Sequence, residues 1–309
     1  MSGKANAQPK KSKRRGRPRR SAPSSSLPRR RLGRYLRDLR MQLGLTIIDV
    51  ADRAELSSST IQRYEKGQFP EEIPAAYIRE LCAVLGADDT MTEALVGLAQ
   101  QAGDKNWYHQ FGELIPEDFD VYMSLEANAT VLVWYSPDAV IGLLQTEGYA
   151  RALMRSRYPE ASDEEIDQRV EMRMHRQRLI TRKKKPAKLV VVLGEAALHR
   201  IVGNRHVMKA QYKHLADMST LPNVSIRILR FTAGIPLGLP MSRFGILGFG
   251  EEKGREIEPP IVYIEGYRGD AYLQKDDDVR HFVAAHEAIQ REAMDGTASR
   301  DLLRQLAKE

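Results

Sequence analysis

The stretch from Thr46 to Gly67 constrains the fold more than any other part of this 309-residue chain. It contains two short segments with apolar residues at helical spacing, and each follows a hydroxyl residue suited to an N-cap, Thr46 or Ser57. Asp49 stands three residues after Thr46, the spacing of a capping box. A tight turn is expected between the segments at Glu55–Leu56. The pattern predicts a helix-turn-helix arrangement.

The second of these helices is small and polar on its outer face. Compact residues at the start of a helix allow close approach to the DNA major groove, and the donors and acceptors that follow can reach base edges. The pattern therefore favours DNA binding, and an ordinary helical bundle without a DNA role is the alternative that remains. The side chains on this outer face are Ser58, Ser59, Gln62 and Arg63.

The segment from Arg30 to about Ala102 resembles the Xre-type, phage-repressor-like helix-turn-helix domain. The resemblance is carried by the runs LGLT, SSTI and EKG, which begin at Leu43, Ser58 and Glu65. It implies an all-α domain of five helices over residues 29–103, in which Arg40 and Glu65 form an ion pair that locks the first helix to the third. The base-facing residues that it implies are Ser58, Ser59, Gln62 and Arg63. The residues that it implies near phosphates are Thr46, Ser57 and Lys66.

Glu55 departs from the pattern of this family, which usually has Gly in the turn. The departure predicts that a non-glycine residue adopts a positive φ, at a cost of about 1 kcal/mol.

The chain's basic charge is concentrated at its N-terminus. Residues 1–31 hold 12 of the 48 Lys and Arg residues and no Asp or Glu, so the remaining chain has 36 basic against 41 acidic residues, a net charge of −5. Such a block is expected to stay disordered and to meet a polyanion. Residues 1–28 are therefore predicted to form a disordered basic arm.

The arm contains a motif that resembles the core of an AT-hook, in which an extended Arg-Gly-Arg lies in a narrow minor groove. Narrow A·T tracts have a deep negative potential that attracts arginine. Insertion into the minor groove and plain attraction to phosphates both remain open, and either should add affinity and a steep salt dependence. The residues of the motif are Arg15, Gly16, Arg17 and Pro18.

Residues 104–309 alternate between helical and strand patterns, which predicts an α/β domain with a mixed sheet. One helix is expected over 137–155, with Pro137 in its first turn. This region resembles the companion domain of actinobacterial Xre-type regulators, the antitoxin-like, WhiJ-type group. The resemblance implies regulation, with a small partner protein encoded nearby as one route. The matching blocks are GLLQTEGYARAL from Gly142, RVEMRMHRQ from Arg169, GEAAL from Gly194, LPNVSIRIL from Leu221 and PIVYIE from Pro260.

Arg169, Arg173 and Arg176 follow one another at helical spacing in this domain. A solvated helix face is the favoured interpretation, and a pocket or a dimer contact is the alternative.

The sequence predicts no enzyme, metal site or cofactor. The single cysteine, Cys82, excludes an intramolecular disulfide and Cys-rich zinc sites. The seven histidines lack the spacing of a helical metal pair, and no phosphate-binding loop or nucleophile elbow is found.

The function expected is that of a transcriptional regulator that binds double-stranded DNA as a homodimer, in the cytoplasm and associated with the nucleoid. An antitoxin-like module that sequesters a small partner and autoregulates its operon is the main alternative. An enzyme fused to a DNA-binding module is a third.

Overall fold

A computed structural model describes residues 27–70, 72–103, 117–252, 255–256, 258–267 and 269–309. The AT-hook-like motif at 15–18 and almost all of the predicted arm lie outside these residues. The first helix already begins at Leu27, so the predicted arm boundary after residue 28 falls inside this helix.

Thirteen helices and eight strands make up the described part of the chain, and two 3₁₀ turns lie at Gly142–Leu144 and Phe231–Ala233. The helices are α1 Leu27–Gln42, α2 Ile47–Arg53, α3 Ser58–Glu65, α4 Ala75–Val84, α5 Asp89–Gly103, α6 Glu117–Asn128, α7 Glu147–Arg157, α8 Asp163–Arg176, α9 Arg178–Thr181, α10 Ala196–His199, α11 Arg205–Met218, α12 Asp276–Glu292 and α13 Gly296–Leu306. The strands are β1 Val131–Ser136, β2 Lys188–Gly194, β3 Val224–Leu229, β4 Phe244–Gly248, β5 Glu251–Glu252, β6 Arg255–Glu256, β7 Ile261–Ile264 and β8 Ala271–Leu273.

Helices α1–α5 form the predicted all-α N-terminal region around one apolar core. The apolar stripe of α1 supplies Leu32 and Leu36, which are buried against side chains of α2 to α5. Arg29, which belongs to the basic block of residues 1–31, is buried in this region. Its Nη1 donates a hydrogen bond of 3.0 Å to the carbonyl oxygen of Phe69, beyond α3.

The C-terminal region is built on a six-stranded mixed sheet in the order β3-β2-β1-β4-β7-β8, which confirms the predicted fold class. Strands β1, β2 and β3 are parallel, whereas β4, β7 and β8 join the sheet in antiparallel pairs. Trp134 pairs with Val191 on one side and with Gly245 on the other. A Cβ atom at residue 245 would lie 2.7 Å from the Trp134 indole, so this register requires glycine there.

Alternate residues of β1 face opposite sides of the sheet, as the geometry of a strand requires. Leu132 and Trp134 belong to a core shared with α6, α7, α11 and α13. Val133 and Tyr135 belong to a second core beneath α12. Helices therefore cover both faces of the sheet.

The helix predicted over 137–155 is wrong in its first half. The chain turns after β1, and the helix begins only at Glu147, where the Thr146 side chain accepts a hydrogen bond from the Tyr149 N–H. Within the turn after β1, Gln145 Nε2 donates to the Val140 carbonyl at 2.7 Å and the Tyr149 hydroxyl accepts from the Val140 N–H at 3.2 Å. Tertiary contacts hold the turn in place, because Gln177 Nε2 donates to the Gln145 carbonyl at 2.6 Å and Gln211 Nε2 donates to the Leu144 carbonyl at 2.7 Å.

Candidate nucleic-acid interface

Helix α2 begins at a complete capping box. Thr46 Oγ1 accepts a hydrogen bond of 3.2 Å from the Asp49 N–H, and Asp49 Oδ2 accepts one of 2.7 Å from the Thr46 N–H. Thr46 Oγ1 also donates to Asp49 Oδ2 at 2.7 Å, and this bond, followed by the one from the Thr46 N–H, lowers the pKa of Asp49. The first turn of α2 is therefore fixed by its own local sequence.

The turn between α2 and α3 closes on a left-handed residue. Glu55 has φ 51°, as the departure from glycine predicts. The N–H of Leu56 donates back to the Ala51 carbonyl at 2.9 Å, the six-to-one bond of a Schellman motif. This bond satisfies a carbonyl at the end of α2 and sets the direction in which the chain enters α3.

Helix α3 presents its polar face to solvent. Ser57 caps it, with Oγ accepting a bond of 3.1 Å from the Thr60 N–H, and Ile61 is buried on the inner side. At 1.5 Å per residue its eight residues span about 12 Å, close to the width of the major groove. The four residues predicted to read bases are all exposed, and they are Ser58, Ser59, Gln62 and Arg63.

The ion pair implied between helices one and three is present. Arg40 Nε lies 2.5 Å from Glu65 Oε1, and Arg40 Nη2 lies 3.0 Å from Glu65 Oε2. Nη1 of the same guanidinium donates to the Leu45 carbonyl at 2.8 Å, just before α2. One side chain therefore ties the end of α1 to the start of α2 and the end of α3. Such a two-pronged pair restricts orientation as well as distance.

Gly33 permits a second contact between α1 and α3, which the sequence analysis did not identify. A Cβ atom at this position would overlap the Tyr64 carbonyl oxygen and would lie 2.7 Å from the Gly67 nitrogen. The α1 backbone therefore lies directly against the end of α3. A glycine in the middle of an otherwise good helix sequence was the available signal, since glycine disfavours a helix interior.

The residues predicted near phosphates are exposed, but the two hydroxyl groups among them already accept hydrogen bonds as helix N-caps. Thr46 and Ser57 cap α2 and α3, and Lys66 follows the end of α3. The hydroxyl of Thr46 also lies 2.7 Å from Asp49 Oδ2. The first backbone N–H groups of α3 remain suited to an anion, because a helix start carries a partial positive charge.

The charge on the helix-turn-helix surface is balanced. Between Thr46 and Gly67, Glu65 is paired with Arg40, which leaves three exposed basic and three exposed acidic side chains. By itself, this surface therefore has little net electrostatic attraction for a polyanion. The exposed charges are Arg53, Arg63 and Lys66 against Asp49, Asp52 and Glu55.

The solvated-face interpretation of the C-terminal arginines is wrong for Arg176. This side chain is buried, and its Nε and Nη2 donate to the two carboxylate oxygens of Glu126 at 2.6 and 2.8 Å. Tyr122 donates its hydroxyl hydrogen bond to the same carboxylate. Arg169 and Arg173 line a cleft beside it.

Within the described ranges, no group of three or more His, Cys, Asp or Glu side chains could hold a metal ion. None of the helices described for this chain is long and apolar enough to cross a membrane.

Comparison with family models identifies both parts of the chain. A helix-turn-helix domain model matches residues 31–95, which contain the capped helices and the exposed face of α3. A comparison with curated protein sequences finds no match to this chain. The second model, a domain of unknown function designated DUF5753, matches residues 119–305, more than half of the chain, and the protein therefore belongs to the family that this domain defines.

Proposed function

We propose that the protein is a sequence-specific DNA-binding transcriptional regulator, not an enzyme, that reads the major groove with the outer face of α3. The observation that carries the proposal is the exposure of four hydrogen-bonding side chains on one face of a short capped helix, Ser58, Ser59, Gln62 and Arg63. The Arg40–Glu65 pair and the close approach at Gly33 hold this helix in place. A helix held in place favours binding, because a mobile helix would lose more conformational entropy when it docks on DNA.

A two-fold dimer is the expected binding form. One recognition helix touches three or four bases, whereas two helices on half-sites about one DNA turn apart double the contacts. The operator is then an inverted repeat, and the C-terminal region would supply dimer contacts and a site for sensing or interaction. The proposal includes a relation to WhiJ-type actinobacterial regulators and association of the protein with the nucleoid.

The basic N-terminal segment supplies the electrostatic attraction that the balanced surface of α2 and α3 lacks. Residues 1–26, ahead of α1, carry nine positive charges, and each phosphate that they neutralise adds up to about 0.9 log unit of affinity per tenfold dilution of salt. Minor-groove insertion by Arg15-Gly16-Arg17-Pro18 and simple phosphate contact both satisfy this role.

Selection of bound fragments from random DNA, followed by footprinting at physiological salt, tests the proposal. The expected result is one discrete, symmetric protected site. In the Arg63→Ala variant, discrimination should fall at one base position in each half-site by about 1–3 kcal/mol. Arg37→Ala is the matched control, because Arg37 is an exposed arginine on α1. An equal loss of affinity for all sequences with Arg63→Ala would show that the assigned face is wrong.

Deletion of residues 1–26 separates the two sources of affinity while it leaves α1 whole. All DNA sequences should bind more weakly, the slope of log affinity against log salt should flatten, and the preferred site should stay the same. Retention of the full slope would remove the arm from the proposal.

The antitoxin-like alternative draws support from exposed apolar side chains between β3 and β4. Phe231, Ile235 and Leu239 are each more than half exposed, and exposed apolar clusters of this kind often mark protein contacts. That function would be favoured if a small partner protein co-purifies with the chain and if Phe231→Ser and Leu239→Ser each abolish the co-purification. Both variants should still bind DNA normally.

A further inference from the structure

A cleft of about 310 Å³ opens between the α7–α8 pair and the loop that joins β7 to β8. This volume is at the lower end of the range for small-molecule sites. Its walls combine apolar and aromatic groups with charged ones, and the residues that matter for binding are Met154, Tyr158, Arg173, Tyr263, Glu265 and Asp270.

The two carboxylates in the wall already have partners within the protein. Glu265 Oε2 accepts a hydrogen bond of 2.8 Å from Arg243 Nη1. Asp270 accepts one of 2.7 Å from the Tyr263 hydroxyl and one of 3.2 Å from the Gly266 N–H. Neither carboxylate forms an ion pair with Arg173.

Arg157, Arg169 and Arg173 all line this cleft. Arg157 Nε donates to the Tyr158 hydroxyl at 3.2 Å and the Arg169 guanidinium lies over the Tyr158 ring, whereas Arg173 makes no such contact with this tyrosine and, among the described residues, lies beside no carboxylate at ion-pair distance.

Arg173 Nη1 donates to the amide oxygen of Gln145 at 2.9 Å, and its Nε is buried with no hydrogen-bond partner within the described residues. Arg176, one turn further along the same helix, is by contrast paired with Glu126. Burial, with the nearby charge of Arg176 as the second cause, lowers the pKa of Arg173 to about 10.

A guanidinium in this position is costly for the empty protein. Removing a charge from water without an ion pair destabilises the folded state, and a bound anion offsets that cost. At neutral pH Arg173 stays protonated and can donate two hydrogen bonds to a planar or tetrahedral anionic group. The thioether of Met154 and the rings of Tyr158 and Tyr263 can enclose a flat apolar body beside it.

We propose that this cleft binds a small organic anion with a flat apolar body, whose anionic group pairs with Arg173. The inference goes beyond DNA reading by α3 and is independent of it. Binding is measured on the full chain without DNA, so its failure would leave the proposed function untouched.

Fluorescence titration with anilinonaphthalene sulfonate tests the charged contact, and phenylnaphthylamine serves as the probe of similar shape without the charge. Loss of a charge-assisted hydrogen bond in Arg173→Gln should weaken binding of the sulfonate by about tenfold or more. Binding of the neutral probe should change little, and Arg173→Lys should recover part of the loss. Arg280→Gln is the control, because Arg280 is an exposed arginine on α12, away from the cleft.

Two further measurements keep the proposal testable if Arg173→Gln alters the fold. In the unsubstituted protein, naphthoate should displace the sulfonate probe, whereas naphthalenemethanol, which lacks the charge, should not. Where Arg173→Gln does fold, it should unfold at the same or a higher temperature, because it removes an uncompensated charge. Equal weakening of both probes, equal displacement by both competitors, or unchanged binding of the sulfonate by Arg173→Gln would overturn the proposal.

Discussion

Replacement of Gly33 by alanine tests whether direct contact between the α1 and α3 backbones positions α3, the helix proposed to read DNA. The added methyl group would overlap the Tyr64 carbonyl oxygen, and it would also lie 2.7 Å from the Gly67 nitrogen and 3.0 Å from the Glu65 carbonyl oxygen. All three are backbone atoms, so no side chain can rotate away to make room. The substitution must separate α1 from the end of α3.

The expected magnitude follows from two opposing terms. Overpacking at a rigid contact costs up to about 3 kcal/mol, whereas alanine gains about 1 kcal/mol over glycine inside a helix. The net expectation is a loss of about 2 kcal/mol in the local stability of the α1–α3 contact, from those two terms. Gly97 in α5 provides the matched control, because a Cβ atom there would meet nothing within 4 Å. Gly97→Ala should therefore stabilise its helix by about 1 kcal/mol.

Native-state hydrogen exchange followed by mass spectrometry measures this loss locally in the full chain. For peptides that cover α3, about 2 kcal/mol corresponds to exchange about 30 times faster, since about 1.4 kcal/mol is a factor of ten. Peptides from the C-terminal sheet should exchange at unchanged rates. If Gly33→Ala protects α1 and α3 as Gly97→Ala protects α5, the two backbones do not meet as described and the reasoning is refuted.

Two other predictions follow from the backbone of the turn and from a buried histidine. Glu55→Gly should remove the cost of the left-handed residue, about 1 kcal/mol, and raise the melting temperature of the N-terminal region by about 4–8 °C. Glu55→Ala keeps the strain and should not raise it, so equal effects of the two variants in calorimetry would refute the strain. Burial lowers the pKa of His286 below its ordinary value, so its unfolded form binds the proton more tightly and stability should fall as the pH drops below about 6.5. Urea unfolding at pH 7 and pH 5.5 should show a smaller loss in His286→Leu, and an identical loss in both proteins would assign the pH dependence to other groups.

The two proposals concern different parts of one chain, DNA reading by α3 and anion binding by the C-terminal cleft. The surface of α2 and α3 offers directional hydrogen-bonding groups with balanced charge, and the C-terminal region offers a cleft with an uncompensated arginine. Variants at Arg63 and at Arg173 test these two features separately. DNA-binding assays with and without a cleft ligand would then show whether the two are coupled.

The sequence by itself determined the helix-turn-helix. Its signals act between residues close together in the chain: Thr46 with Asp49, Ser57 with Thr60, and the left-handed turn at Glu55. Local hydrogen bonds of this kind form in few ways, so their residue types and spacing predict the geometry. The exposed face of α3 followed from the same helical periodicity.

Tertiary structure decided the other features of the fold, because they depend on contacts between residues that no local sequence pattern connects. Arg176 meets Glu126 across fifty positions and is buried, where helical spacing alone favoured a solvated face. The segment after β1 turns instead of forming a helix, and distant side chains hold the turn, since Gln177 and Gln211 donate to the carbonyl oxygens of Gln145 and Leu144. Gly33 is required only where two helices meet. The free energy of burial and of distant ion pairs depends on which surfaces come together, and only the folded chain fixes that.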